Sequence, residues 1–134
     1  MEIRTIPWQQ TIPLRHSVLW PSKPPEFCHI DGDPEGLHFG VFINGAVVCV
    51  ASVYVNHNKA RLRKFATDER YQNQGIGSKL LAHIINYLNG SQIEYFWCDA
   101  RETALGLYKR FGMYKCSERF YKADVAYFKM EVAL

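Results

Sequence analysis

The spacing of hydrophobic positions changes several times along the chain, and each change predicts an element. Leu37 to Ile43 and Ala46 to Val55 are β-rich runs on either side of Asn44-Gly45. Both turn residues tolerate positive φ, which predicts a tight hairpin. A second turn around Asn56 to Asn58 leads into a third strand, Ala60 to Thr67. From Gly75 to Leu88 the period becomes helical. Ile76, Leu80, Leu81, Ile84, Ile85 and Leu88 share one side, and Asn89-Gly90 is a stop signal. Ile93 to Cys98 is a short aromatic-rich strand. Thr103 to Phe111 is a second helix with Gly112 just past its end. Tyr114 to Tyr121 and Val125 to Val132 read as two closing strands. Near the start, Pro13 to Leu19 predicts a short helix with Thr11 as cap and Leu14 and Val18 on one face. Pro21 to Pro25 reads as a loop.

The predicted order is helix, three strands, helix, strand, helix, two strands. The strand–helix–strand unit from Ala60 to Cys98 requires a parallel, right-handed crossover, while the hairpin and the closing strands pair antiparallel. The fold class is therefore α/β (α+β): a mixed, mostly antiparallel sheet with helices on its faces. A chain of 134 residues suits one domain, residues 1–134, with its own core.

Composition narrows the partners more than the fold. With 48% apolar and 22% charged residues, disordered and fibrous classes are excluded. A net charge of +3 fits a phosphorylated ligand and is too small to argue for nucleic acid. Cys28, Cys49, Cys98 and Cys116 show no C-x-x-C spacing, so buried free thiols in a reducing cytosol are expected. The start carries no basic-then-apolar leader and no run spans a bilayer, which predicts a cytoplasmic protein with no membrane partner. Cys28-His29 has no second pair at ligand spacing, so no metal is expected.

The chemistry concentrates in Gln72-Asn73-Gln74-Gly75-Ile76-Gly77-Ser78-Lys79. The segment follows a strand and opens a helix. A helix N-terminus offers free N–H groups and a partial positive charge. Glycine at 75 and 77 lets a bulky anion approach the backbone, giving a pyrophosphate cradle. It is neither a P-loop, which needs G-x-x-x-x-G-K-[ST], nor a dinucleotide fingerprint, because position 80 is Leu80.

Gln72-x-x-Gly75-x-Gly77 resembles the Q/R-x-x-G-x-G/A signature of the GNAT superfamily of N-acetyltransferases. The preceding Phe65-Ala66-Thr67 is similar to that family's fourth strand. Ala100-Arg101-x-x-Ala104-x-x-Leu107-Tyr108-x-x-Phe111-Gly112-Met113 resembles its second signature, and Val125 to Met130 its last strand in one bacterial branch. The resemblance spans about Phe39 to Met130. Three positions depart from it: Arg101 replaces a frequent Asn, Met113 a usual Phe, and Tyr127 a His of that branch, which points to a different acceptor.

The resemblance implies a cleft between two parting strands. Backbone groups of Phe65, Ala66 and Thr67 would meet the pantetheine of acetyl-coenzyme A. The amides of Gln72, Asn73, Gln74, Gly75, Ile76, Gly77 and Ser78 would hold its pyrophosphate. It also implies that Tyr108 is the catalytic residue, giving a proton to the departing thiolate; the alternative for Tyr108 is core packing beside Leu105 and Phe111. The general base is open among Glu94, Asp99, Asp68, Glu69 and His57, or ordered water. Lys59, Arg61, Arg63 and Lys64 form a basic cluster, read either as help with the coenzyme's 3′-phosphate or an acidic acceptor or, preferably, as a solvated edge. Arg15 to Trp20 falls where such folds build the acceptor pocket. A Cys98–His83 nucleophile is discounted because both sit in regular elements. The expected function is acetyl transfer to a primary amine in a ternary complex, with a non-catalytic acyl-coenzyme A sensor as the alternative. Homodimers are common in the superfamily, and the sequence shows no interface of its own.

Overall fold

The computed structural model describes all residues, Met1–Leu134. Its backbone is one eight-stranded sheet built from β1 (Glu2–Thr5), β2 (Leu37–Ile43), β3 (Ala46–Asn56), β4 (Lys59–Thr67), β5 (Tyr95–Arg101), β6 (Tyr114–Lys115), β7 (Phe120–Lys122) and β8 (Val125–Ala133). The strand order is β1-β2-β3-β4-β5-β8-β6, with β7 also on β8. Every pairing is antiparallel except β4–β5. The expected hairpin turns at Asn44 (φ 51°) and Gly45 (φ 80°).

Three expectations are corrected. The edge strand β1 was not anticipated; four mostly exposed residues are too few for an alternation to register. The first helix begins earlier. A 3₁₀ turn (Trp8–Thr11), an α turn (Ile12–Leu14) and a wider π turn (Arg15–Leu19) run together and are called α1. Thr11 caps nothing: it lies inside α1, and its hydroxyl donates to the Trp8 carbonyl at 2.6 Å. The single strand expected at Tyr114–Tyr121 is two, β6 and β7, divided by exposed polar residues. The β7–β8 turn uses Ala123 (φ 48°) and Asp124 (φ 65°), a left-handed pair that carries no glycine signal.

Alternation along the strands sorts side chains to two faces. Phe39, Val41, Ala51, Val53, Phe96 and Met130 join Leu80, Leu81 and Ile84 of α2 (Ile76–Leu88) in the main core. Leu105 and Tyr108 of the short α3 (Leu105–Lys109) complete it. Each fully buried Leu, Ile or Phe contributes about 1.5–3 kcal/mol. Val50 and Ala66 point the other way and meet Leu14 of α1 with Ile6.

A buried polar cluster fastens α1 to that second face. Arg15 is fully enclosed and pairs bidentately with Asp33 at 2.8 and 3.0 Å. It also donates to the Cys28 carbonyl, the Ser52 hydroxyl and the Tyr54 hydroxyl. His38 completes the set: its Nε2 donates to the Asp33 carbonyl, so its Nδ1 accepts from Ser52. Burial lowers the His38 pKa, which suits this neutral tautomer. Burial raises the Asp33 carboxyl, but hydrogen bonds from Arg15, Tyr54 and the Ile30 amide outweigh it and hold the carboxyl at about 2.

The site-forming irregularity is in β4. Val50 pairs with Ala66 and Ser52 with Arg63, so Lys64 and Phe65 together oppose Ala51 alone. This is a β-bulge, and Lys64 takes φ 53° to make it. On its other side β4 meets β5 only at Lys59↔Tyr95, Ala60↔Phe96 and Arg61↔Trp97. Beyond Arg61 the strands part, while β4 stays with β3 to Thr67 and β5 stays with β8 to Arg101.

Candidate functional site

The parting leaves a wedge whose walls are Leu62–Thr67 of β4 and Cys98–Arg101 of β5, each without a strand partner on the facing side. At the mouth of the wedge the chain turns through Glu69–Tyr71 into the glycine segment and α2. The side chain of Asp68 caps that turn by accepting from the Arg70 amide at 3.0 Å. Gln72 donates its side-chain amide to the Thr67 carbonyl at 3.0 Å, tying the segment to the end of β4. Its backbone N–H is directed at Glu69 over a long 3.5 Å.

From Asn73 to Ser78 no backbone N–H donates to an acceptor in the protein; the first helical bond is Lys79 N–H to Gly75 carbonyl. Six consecutive free amides at a helix N-terminus form a concave anion cradle. Gly75 sits at φ 78° with nothing within 4 Å of where a Cβ would be, so its side is open to a ligand. Asn73 is also left-handed (φ 61°). Gly77 has a second reason to lack a side chain: a Cβ there would lie 3.2 Å from the Phe65 ring. The donor set therefore fits a pyrophosphate. Arg110 adds a cation by donating to the Ser78 hydroxyl at 3.2 Å. Nothing in the sequence marked Arg110, which reads there as one more charge in a helix's last turn.

Tyr108 projects from α3 into the wall of the wedge. It is buried, and its phenol lies against the thiol of Cys98 on β5. Desolvation, reinforced by that thiol, raises the Tyr108 pKa well above the ordinary phenol range. The same burial pushes Cys98 up to about 12. Tyr108 is thus part of the core and stands beside the gap. Cys98 faces Tyr108, which leaves no support for a Cys98–His83 pair; His83 packs its ring edge against Phe39.

The candidate bases separate by position. Glu94 hydrogen-bonds through its backbone to Asn58 and Leu134 at the closed end of the strands, and His57 occupies the turn there. Asp68 is committed to Arg70. Asp99 stands beside the wedge, accepting from Arg61 and Lys122 at 2.9 Å each.

The basic cluster is not a solvated edge. Lys59, Arg61, Arg63 and Lys64 lie on β4 in the middle of the sheet. Trp20, expected near an acceptor pocket, stands beside the bulge with Lys64 Nζ 5.7 Å above its ring. Tyr127 stacks on Phe120 and pairs across from Arg101. The four cysteines are free as expected, though Cys116 is exposed rather than buried. No helix is long and apolar enough to cross a membrane, and no cluster of His, Cys, Asp or Glu is placed to hold a metal.

Comparison with known proteins shows the family and the fold. Residues 2–113 match the acetyltransferase (GNAT) family. The chain is 33% identical over 129 residues to the uncharacterized N-acetyltransferase YitI of Bacillus subtilis, covering 90% of this chain and 87% of that protein. It is 30% identical over 107 residues to the ribosomal protein bS18-alanine N-acetyltransferase of Escherichia coli (strain K12), covering 78% and 70%. A GNAT family acetyltransferase from Elizabethkingia anophelis with acetyl-CoA bound superposes with a TM-score of 0.73 at 17% identity, over 99% of this chain and 97% of that one.

Proposed function

The chain belongs to the acetyltransferase (GNAT) family, and on that premise we propose that it moves an acetyl group from acetyl-coenzyme A to a primary amine by direct attack in a ternary complex. The observation that carries this reading is the run of six unpaired amides, Asn73 to Ser78, placed at the mouth of the gap between β4 and β5. Those amides hold the pyrophosphate, helped by Arg110. The free edge of Phe65, Ala66 and Thr67 pairs with the pantetheine amides as an added strand does.

Acetyl-coenzyme A supplies an activated thioester. The protein positions it and stabilises charge. Backbone N–H groups on the free edge of β4 polarise the thioester carbonyl as the neutral amine nitrogen attacks its carbon. The C–N bond forms, the C–S bond breaks, and the sulfur leaves with the bonding pair. Tyr108 meets that sulfur. An ordinary thiol has a pKa near about 8.5 and an ordinary phenol near about 10, and burial raises this phenol further. The phenol proton passes to the departing sulfur as the C–S bond breaks. The proton lost by the amine passes to water or to Asp99.

Titration calorimetry with acetyl-coenzyme A tests the cradle: the native chain binds and a Gly75→Glu variant does not. Turnover on an amine panel then separates an enzyme from a module that only binds acyl-coenzyme A. The free thiols suit a reducing compartment, and the cytoplasm is our assignment.

A further inference from the structure

On the face opposite α2, α1 covers one end of β3 and β4, and the rest of the sheet between β3 and β8 is crowded with cations. Arg61 and Lys129 both lie against the Trp97 ring, 4.6 and 4.7 Å from its centroid. With Tyr54 and Lys59 they line a cleft of about 470 Å³. Next along β4 come Arg63 and Lys64. Strand alternation alone would send these two to opposite faces. The bulge puts both on this one, Arg63 beside Ser52 and Lys64 over Trp20. Lys122 reaches in from β7.

Six cations share this surface with two carboxylates. Lys59 pairs with Glu131 at 3.2 Å, and Arg61 and Lys122 both use Asp99. Arg63, Lys64 and Lys129 pair with no carboxylate, and the buried Nε of Arg61 has no acceptor. Arg63 and Lys64 are half-buried, and burial followed by the neighbouring arginine lowers both pKa values. Half-buried, unpaired like charges cost stability, and one anion among them would relieve that cost.

We propose that this cleft is the acceptor subsite for an anionic group, so that the amine acetylated by this protein carries a carboxylate or a phosphate. The proposal rests on the acetyl-transfer reading above, which puts the thioester on the free edge of β4 beside the bulge at Lys64. Arg61 lies three residues before Lys64, or roughly 10 Å along a strand. The acceptor therefore spans about that distance between nitrogen and anion. Arg61 and Lys129 hold the anion above Trp97, and Arg63 guides it past the bulge. The carboxylates of Asp99 and Glu131 inside the patch oppose a long run of phosphates, so a nucleic-acid strand fits this surface worse than one anionic group.

Matched amines test this. The carboxylate arm compares 8-aminooctanoate with 8-aminooctanamide, and the phosphate arm compares 6-aminohexyl phosphate with 6-aminohexanol. The anionic member of at least one pair should show kcat/KM at least tenfold higher. That preference should shrink at high ionic strength and vanish in Lys129→Gln and Arg63→Gln variants through KM, with acetyl-coenzyme A affinity unchanged. The arm with the larger ratio identifies the anion. Equal use of charged and neutral amines, or a preference that survives both substitutions, overturns the proposal. A second readout does not need turnover: the indole N–H resonance of Trp97, identified by its loss in Trp97→Phe, is followed during titration with each anionic amine and no coenzyme. A saturable shift abolished by Lys129→Gln supports the subsite even if acetyl transfer fails, and no shift with either compound overturns it even if acetyl transfer succeeds.

Discussion

Gly75 and Gly77 look equivalent in the sequence and differ in the fold. At Gly75 the requirement is backbone conformation, since φ is 78° and space is free. Gly75→Ala should cost about 1–2 kcal/mol in stability through left-handed strain, measurable by urea denaturation, with coenzyme binding weakened modestly. At Gly77 the requirement is room. Gly77→Ala should push back Phe65, whose backbone forms the wedge wall, and weaken acetyl-coenzyme A binding more than Gly75→Ala does; calorimetry on both variants gives the order. Tyr108→Phe should lower kcat by roughly 10²–10⁴, the usual range for a general acid, with coenzyme affinity preserved. Full activity in that variant would remove Tyr108 from the chemistry. At this scale the glycine segment, as a turn into a helix with free amides, was legible because a motif needs particular side chains or their absence. Arg15 and Arg110 were not, because what matters about each is the distant partner that folding supplies.

Elements with a long, regular period were readable: the Asn-Gly hairpin, α2, and the parallel β4–β5 crossover. Elements made by tertiary context were not. β1 is a strand because β2 offers it an edge, and β6 and β7 are separate because β8 accepts two short partners on one side. α1 is mixed in winding and is held less by its own hydrogen bonds than by Arg15. Its partner Asp33 carries a testable pH dependence. A carboxyl held at about 2 instead of 3.8 contributes stability that is complete above the unfolded value and lost as pH falls through the folded one. The gap corresponds to about 2.5 kcal/mol. Native-state stability should therefore fall between roughly pH 4 and pH 2 by this amount beyond what Asp33→Asn shows in the same acid titration. At neutral pH Asp33→Asn should itself cost about 3–5 kcal/mol, because it leaves Arg15 charged, buried and unpaired.

For the molecule as a whole, the expected sheet and its parallel pair were correct, and the missing part of the picture was which face stays open. Burial patterns in a sequence report which residues are covered, not by what, so the cations of β4 looked like a rim. Hydrogen exchange should display the resulting layout. The slowest amides belong to β3, β5 and β8 around Phe96 and Met130, and the fastest include Asn73 to Ser78. Acetyl-coenzyme A should slow exchange selectively at that segment and on the free edge of β4. Uniform slowing, or none, would contradict the cradle.

The three rungs between β4 and β5 have a mechanical meaning. They are the only strand-to-strand seam between a leaf made of β1–β4 and a leaf made of β5–β8. A load pulling the leaves apart meets three residue pairs there, against seven between β5 and β8. On the proposed reading, a coenzyme lying in the wedge along the free edge of β4 would fill the place of the missing rungs. The substrate is then a strut as well as a reactant: the protein should yield at this seam first when stretched, and at a higher force when loaded.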